Sequence, residues 1–148
     1  MFLVIFNSHV MLKKIGIVVF ALIVLGACDV DEGYLIADET AGFSIDSLLV
    51  YVDPPVSSSQ YKYGTPYFTT SVEGVEGTKP LTYSLYDVTS EDGDVMAMRE
   101  QIEVKTGIGK ISIPVKHTIP AGTYWVSLRV ENCYSFIVLE DIVKIVVK

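Results

Sequence analysis

The chain has 148 residues and carries 18 acidic against 11 basic side chains, a formal net charge of −7. Binding to nucleic acid or to anionic surfaces relies on Lys and Arg contacts, so this balance excludes a polynucleotide partner. The two cysteines and two histidines make no disulfide framework and do not have zinc-ligand spacing, and no cofactor is implied.

The N-terminal segment is expected to lie outside the fold. Lys13 and Lys14 precede an apolar run from Ile15 to Leu25, about ten residues, which suits a signal h-region and is too short to span a bilayer. Met11 is the expected start, since Met1 to Val10 place an extra apolar patch before the lysines. Leu25-Gly26-Ala27-Cys28 closes the run and looks like a bacterial lipobox. That resemblance implies cleavage before Cys28, a diacylglycerol on its thiol and an acylated (palmitate-type) N-terminus. Several acyl chains on one cysteine anchor a protein stably, each buried CH₂ contributing about 0.8 kcal/mol. The cell envelope, as an outer-membrane lipoprotein, is the expected location. The acidic Asp29-Val30-Asp31-Glu32 cluster sits where surface-exposed lipoproteins of Bacteroidetes carry an export signal, which implies display on the outer surface.

Loss of residues 1–27 leaves 121 residues, one domain's worth, and removes two lysines but no acid, so the mature charge becomes −9. A chain of that length buries roughly two thirds of its unfolded surface and needs neither metal nor disulfide to fold. With Cys28 lipidated, Cys133 lacks an intramolecular partner and is expected as a half-buried turn residue. Residues 28–41 are read as the lipidated cysteine and an acidic flexible tether, and residues 42–148 as the folded domain.

From there the apolar period is two. Phe43, Ile45, Leu48, Val50 and Val52 predict a strand stopped by Asp53-Pro54-Pro55, because proline cannot donate to a ladder. A serine-rich loop at 57–60 follows. Tyr67 to Val72 predicts the next strand, and the run from Glu73 to Gly77 reads as its closing turn. Leu81, Tyr83 and Leu85 alternate with Thr82, Ser84 and Tyr86, and Glu91-Asp92-Gly93-Asp94 is a turn. Val95 to Arg99 fits either a short edge strand or a helical turn. Ile102 and Val104 resume the alternation, 106–109 turns the chain, and Ile111 and Ile113 continue it. Tyr124, Val126, Leu128 and Val130 share one face of the clearest strand, with Trp125, Ser127 and Arg129 on the other. A turn at 132–135 leads to a last strand, Phe136 to Val147. The prediction is an all-β fold: a single immunoglobulin-like antiparallel β-sandwich of about seven strands, preceded by a cleaved lipoprotein signal peptide.

The pieces Gly77-Thr78-Lys79-Pro80-Leu81-Thr82-Tyr83-Ser84-Leu85, Val104-Lys105-Thr106-Gly107-Ile108, Ala121-Gly122-Thr123-Tyr124 and Val130-Glu131-Asn132 carry a further resemblance. The region resembles the cadherin-like and PKD-like immunoglobulin-type domains of exported bacterial proteins. Tyr124 is placed like a tyrosine corner. Small lipoproteins with such sandwiches are common in Bacteroidetes glycan-utilisation systems as surface binding or spacer modules. Inter-domain calcium motifs of cadherin repeats are missing, so calcium bridging is not implied.

The chemistry-bearing residues are sparse. His117 is the single histidine of the mature chain, no nucleophile motif surrounds any serine, and His117 is expected at the surface beside a turn. Asp92 and Asp94 are the weak calcium candidates of a chain otherwise expected to hold no metal. Aromatic residues remain. By strand alternation Trp125 and Tyr86 face outward, and if their faces coincide they form a platform on which sugar rings stack, with Arg129 bonding hydroxyls and with Tyr61 and Tyr63 extending it. The expectation is a non-enzymatic, lipid-anchored binding module for a polysaccharide or for a partner protein of an outer-membrane assembly. The alternatives are a structural or adhesion spacer and, more remotely, a small hydrolase.

Overall fold

The computed structural model describes residues 33–148. The signal segment, Met11, Cys28 and the acidic cluster after it lie outside the described residues. Nine strands and two short helices follow in order: β1 (Leu35–Gly42), β2 (Ser47–Val50), α1 (Ser59–Tyr63), β3 (Tyr67–Phe68), β4 (Glu73–Gly77), β5 (Thr82–Ser90), α2 (Val95–Gln101), β6 (Glu103–Val104), β7 (Ile111–Ile113), β8 (Gly122–Glu131) and β9 (Phe136–Val147).

One sheet has the order β2-β9-β8-β5 and the facing sheet the order β3-β7-β6. In immunoglobulin lettering β3, β5, β6, β7, β8 and β9 are B, C, D, E, F and G, giving the two sheets of that sandwich. β2, the first strand of the sandwich proper, has switched sheets and runs parallel to β9. The all-β expectation holds, with nine strands in place of about seven.

β8 organises the core because its alternation is unbroken: Tyr124, Val126, Leu128 and Val130 are all fully buried. The first three meet Val143, Ile145 and Val147 of β9, Val50 of β2 and, from the other sheet, Ile111 and Ile113 of β7. Each such side chain contributes about 1.5–3 kcal/mol on burial. α2 closes the open side with Met98 and Ile102. In β9 strict alternation would turn Asp141 inward. A bulge prevents this, with Asp141 at a φ of 46°, a left-handed conformation that aspartate tolerates. The Asp141 N–H donates to Ser127 Oγ at 2.9 Å, which leaves Ser127 buried although it belongs to the outward row. β3 is short because the chain swaps partners: the Thr69 N–H donates to the Ile111 carbonyl, and the Ile111 N–H donates to Thr69 Oγ1 at 3.0 Å.

Two expectations change and one pair of alternatives is settled. Residues 35–42, read as tether, form β1 and pair antiparallel with β4. Residues 73–77, read as a turn, are that β4. Together they cover a second, smaller core around Tyr83, Val130 and Leu139, into which Leu35, Ala41 and Val75 pack. The segment after Asp94 is a helix: Asp94 Oδ1 accepts from the Met96 and Ala97 N–H groups at 3.0 and 3.1 Å and caps it.

Candidate binding face

Tyr124 sets the geometry of the face. Its ring is buried, and its hydroxyl donates to the Pro120 carbonyl at 2.9 Å while accepting from the Asp94 N–H at 3.1 Å. This is the tyrosine corner that the sequence suggested. Burial pushes the Tyr124 hydroxyl above its ordinary pKa, the nearby Asp94 and Asp92 charges adding to the rise. One hydroxyl thus ties the loop before β8 to the turn after β5. Gly93 is required there, since a Cβ would meet the Tyr124 ring at 2.3 Å.

With Tyr124 fixed inward, the next residue is directed out. Trp125 is 38% exposed on the outward face of the four-stranded sheet, with Thr89 beside it on β5 and Lys144 on β9. Lys144 Nζ stands 5.3 Å from the ring centroid, a cation–π distance. Beside the ring is a cleft of about 330 Å³ lined by Glu91, Asp92, Thr123 and Trp125. Asp92 is oriented by the Thr123 N–H, which donates to its Oδ1 at 2.8 Å, while the Ser90 hydroxyl donates to the Thr123 carbonyl at 2.6 Å. Ser90 Oγ accepts in turn from the Gly93 N–H. An indole face, two carboxylates and a hydroxyl therefore border one small cleft on an ordered strand and turn.

The other expected residues are distributed differently. Tyr86 is 51% exposed and sits unpaired in the β5 irregularity between Leu85, opposite Leu128, and Asp87, opposite Ser127, and so is not beside Trp125. Arg129 has partners within the protein: its guanidinium bonds Glu131 at 2.7 Å and lies 4.2 Å from the centroid of Phe136. Tyr61 and Tyr63 lie on α1, 59% and 80% exposed. Tyr61 lines a different cleft, of about 800 Å³, with Val52, Pro54, Val115 and His117. Trp125 and Tyr61 thus do not border a common cleft. Asp92 and Asp94 serve separate backbone donors, one in the turn and one as helix cap. Among the described residues no three His, Cys, Asp or Glu side chains converge as a metal site. His117, expected at the surface, is half-buried, with Nε2 3.2 Å from the Tyr51 carbonyl. Cys133, expected half-buried, is exposed.

Sequence reasoning missed Glu91 and Lys144. Lys144 was detectable in principle as an outward member of the β9 alternation, but its register against Trp125 depends on the bulge at Asp141.

No protein-family model matches the sequence, and no curated protein matches it. Among solved structures the chain is similar to a SusE-like surface-located polysaccharide-binding protein from the Bacteroides thetaiotaomicron heparin utilisation locus. The identity is 13% and the TM-score 0.43, over 78% of this chain. The chain spans only 15% of that protein's length. So slight a likeness carries no function across.

Proposed function

We propose that the chain is a lipid-anchored, non-enzymatic lipoprotein of the bacterial outer membrane, displayed at the surface, whose cadherin- or PKD-like sandwich binds a polysaccharide at Trp125. The observation that supports this reading is the pairing of an outward indole with hydrogen-bonding groups around one cleft. Axial C–H groups of a sugar ring stack on the indole, and ring hydroxyls donate to Glu91 and Asp92 or exchange bonds with Thr123. A cleft of about 330 Å³ is at the small end for ligand sites and suits one sugar unit of a chain that continues over the sheet. Two carboxylates on a chain with excess acid select neutral sugars over uronates or sulfated sugars.

Trp125 is the single tryptophan, so its emission reports the site directly. Titration with neutral soluble polysaccharides should change the emission saturably with at least one of them, and Trp125→Ala should weaken binding about ten-fold or more, a loss of about 1.4 kcal/mol. An emission that no polysaccharide alters, or equal binding by the alanine variant in a pull-down on insoluble glycan, sinks the reading.

A structural or adhesion subunit, or one that binds a partner protein of an outer-membrane assembly, is the second reading. It is favoured by the position of β2 at a sheet edge with Leu49 40% exposed. Oligomers that grow with concentration, without any response to glycan, are its signature.

A further inference from the structure

The end of the sandwich away from the Trp125 cleft is formed by residues 33–34, 77–80 and 131–136. Strand pairing brings them together: Leu35 faces Gly77, Thr82 faces Glu131 and Glu131 faces Phe136. Side chains then hold them. Asn132 Nδ2 donates to the Tyr34 carbonyl at 2.9 Å, and the Thr78 N–H donates to the same oxygen at 2.9 Å. Asn132 Oδ1 accepts from the Tyr134 and Ser135 N–H groups, each at 2.9 Å. The Tyr134 ring lies where a Cβ on Gly33 would stand, 1.8 Å from that position. The end is therefore ordered, yet its rings belong to no core. Tyr34 and Tyr134 are each 54% exposed, and Phe136 and Ile36 each 56%.

Where the chain leaves the domain indicates what covers these rings. Gly33 follows Cys28 by five residues, and five extended residues reach at most about 18 Å. A lipid on Cys28 therefore holds this end, and no other, next to the bilayer. Tyrosine and other aromatic rings concentrate at membrane–water interfaces, where an apolar body and a polar tip are both satisfied. The acidic Asp29, Asp31 and Glu32 of the link oppose an anionic surface, so the contact rests on the rings; within the end itself the Glu131 carboxylate is paired with Arg129, and Lys79 is exposed on the adjoining loop, placed to meet a lipid phosphate.

We propose that Tyr34, Tyr134 and Phe136 form a seat on the phospholipid headgroup layer, so that the domain stands on the membrane in one orientation instead of swinging on its tether. The proposal rests on the lipoprotein reading, and the test separates the two. Cys133 lies inside the seat and is exposed, and acylation consumes the Cys28 thiol, so the mature lipoprotein accepts a polarity-sensitive fluorophore at Cys133. Reconstituted into phosphatidylethanolamine and phosphatidylglycerol vesicles, the label should shift to the blue and lose emission when the lipids carry a nitroxide near the headgroup. The triple variant Tyr34→Ser, Tyr134→Ser, Phe136→Ser should lose both responses while remaining in the vesicles. Phe136→Ser alone, which disturbs no contact to Gly33, should lose part of each should the triple variant fold poorly by circular dichroism. An acylated protein whose label is not quenched overturns the seat and leaves the lipoprotein reading standing. A blue shift without quenching reports a second copy of the chain over these rings and overturns it as well. Absence of acyl chains on Cys28 by mass spectrometry overturns the lipoprotein reading and the seat with it.

Discussion

Replacing Tyr124 with Phe tests whether one hydroxyl holds the β5–α2 turn to the loop before β8. The ring is buried to 0% exposure, so phenylalanine fills the same volume and only the oxygen is lost. That oxygen makes two bonds, donating to the Pro120 carbonyl at 2.9 Å and accepting from the Asp94 N–H at 3.1 Å. A net intramolecular hydrogen bond contributes about 0.5–1.5 kcal/mol, and a buried group left unpaired costs about 1–3 kcal/mol. Pro120 and Asp94 are themselves exposed residues, so water recovers part of the loss and the expected destabilisation is about 2 kcal/mol. The assay is urea unfolding of the domain from Asp29 to Lys148. With a slope of about 1.5 kcal/mol/M the midpoint should fall by about 1.3 M at unchanged slope. A shift below about 0.3 M would refute the argument, because the hydroxyl would then be no better satisfied in the fold than in water.

Three other outcomes follow from the same geometry. Asp94→Ala removes the cap on two N–H groups of α2 and should cost about 1 kcal/mol in urea unfolding, with most of it restored by Asp94→Asn; equal losses for both variants would contradict the capping role. Gly109→Ala should destabilise by about 2 kcal/mol or more, since the residue has a φ of +68° and a Cβ there would stand 2.6 Å from Val72 and 2.7 Å from Tyr83. Gly107→Ala, with nothing within 4 Å of its Cβ position, is the control, and equal thermal midpoints for the two would count against the reasoning. Burial raises the pKa of Tyr67, Tyr83 and Tyr124 above 10.0. Between the unfolded and the folded pKa the folded chain therefore holds more protons. Stability from these groups is complete below pH 10.0 and is lost as pH climbs through the folded values. A urea midpoint that stays level or rises as pH climbs above about 10 would contradict this mechanism.

The long strands were legible because each buries one face: the spacing of Tyr124, Val126, Leu128 and Val130 admits a single assignment. β1 and β4 were not, since Leu35–Gly42 and Glu73–Gly77 are rich in acids, glycine and alanine and become strands only by pairing with each other over Tyr83 and Leu139. Their propensity is supplied by tertiary context. At the binding face, alternation correctly turned Trp125 and Tyr86 outward but could not say what stands beside them. Arg129 is covered by Phe136 of the neighbouring strand, Ser127 is covered by the Asp141 bulge, and the β5 irregularity leaves Tyr86 without a partner on β8 while Thr89 takes the place opposite Trp125. Each of these is a cross-strand effect that a single strand's pattern does not contain.

The length of β8 has a consequence for how the protein meets its surroundings. Trp125 is six residues up the strand from Glu131, about 20 Å at strand rise, and Glu131 sits at the end next to the tether. At physiological ionic strength the screening length is about 8 Å, so the indole lies more than two such lengths from the end of the sandwich proposed to meet lipid. On the proposed seat the strand is a mast: a polymer bound at Trp125 would be held clear of the headgroups and electrostatically insulated from them.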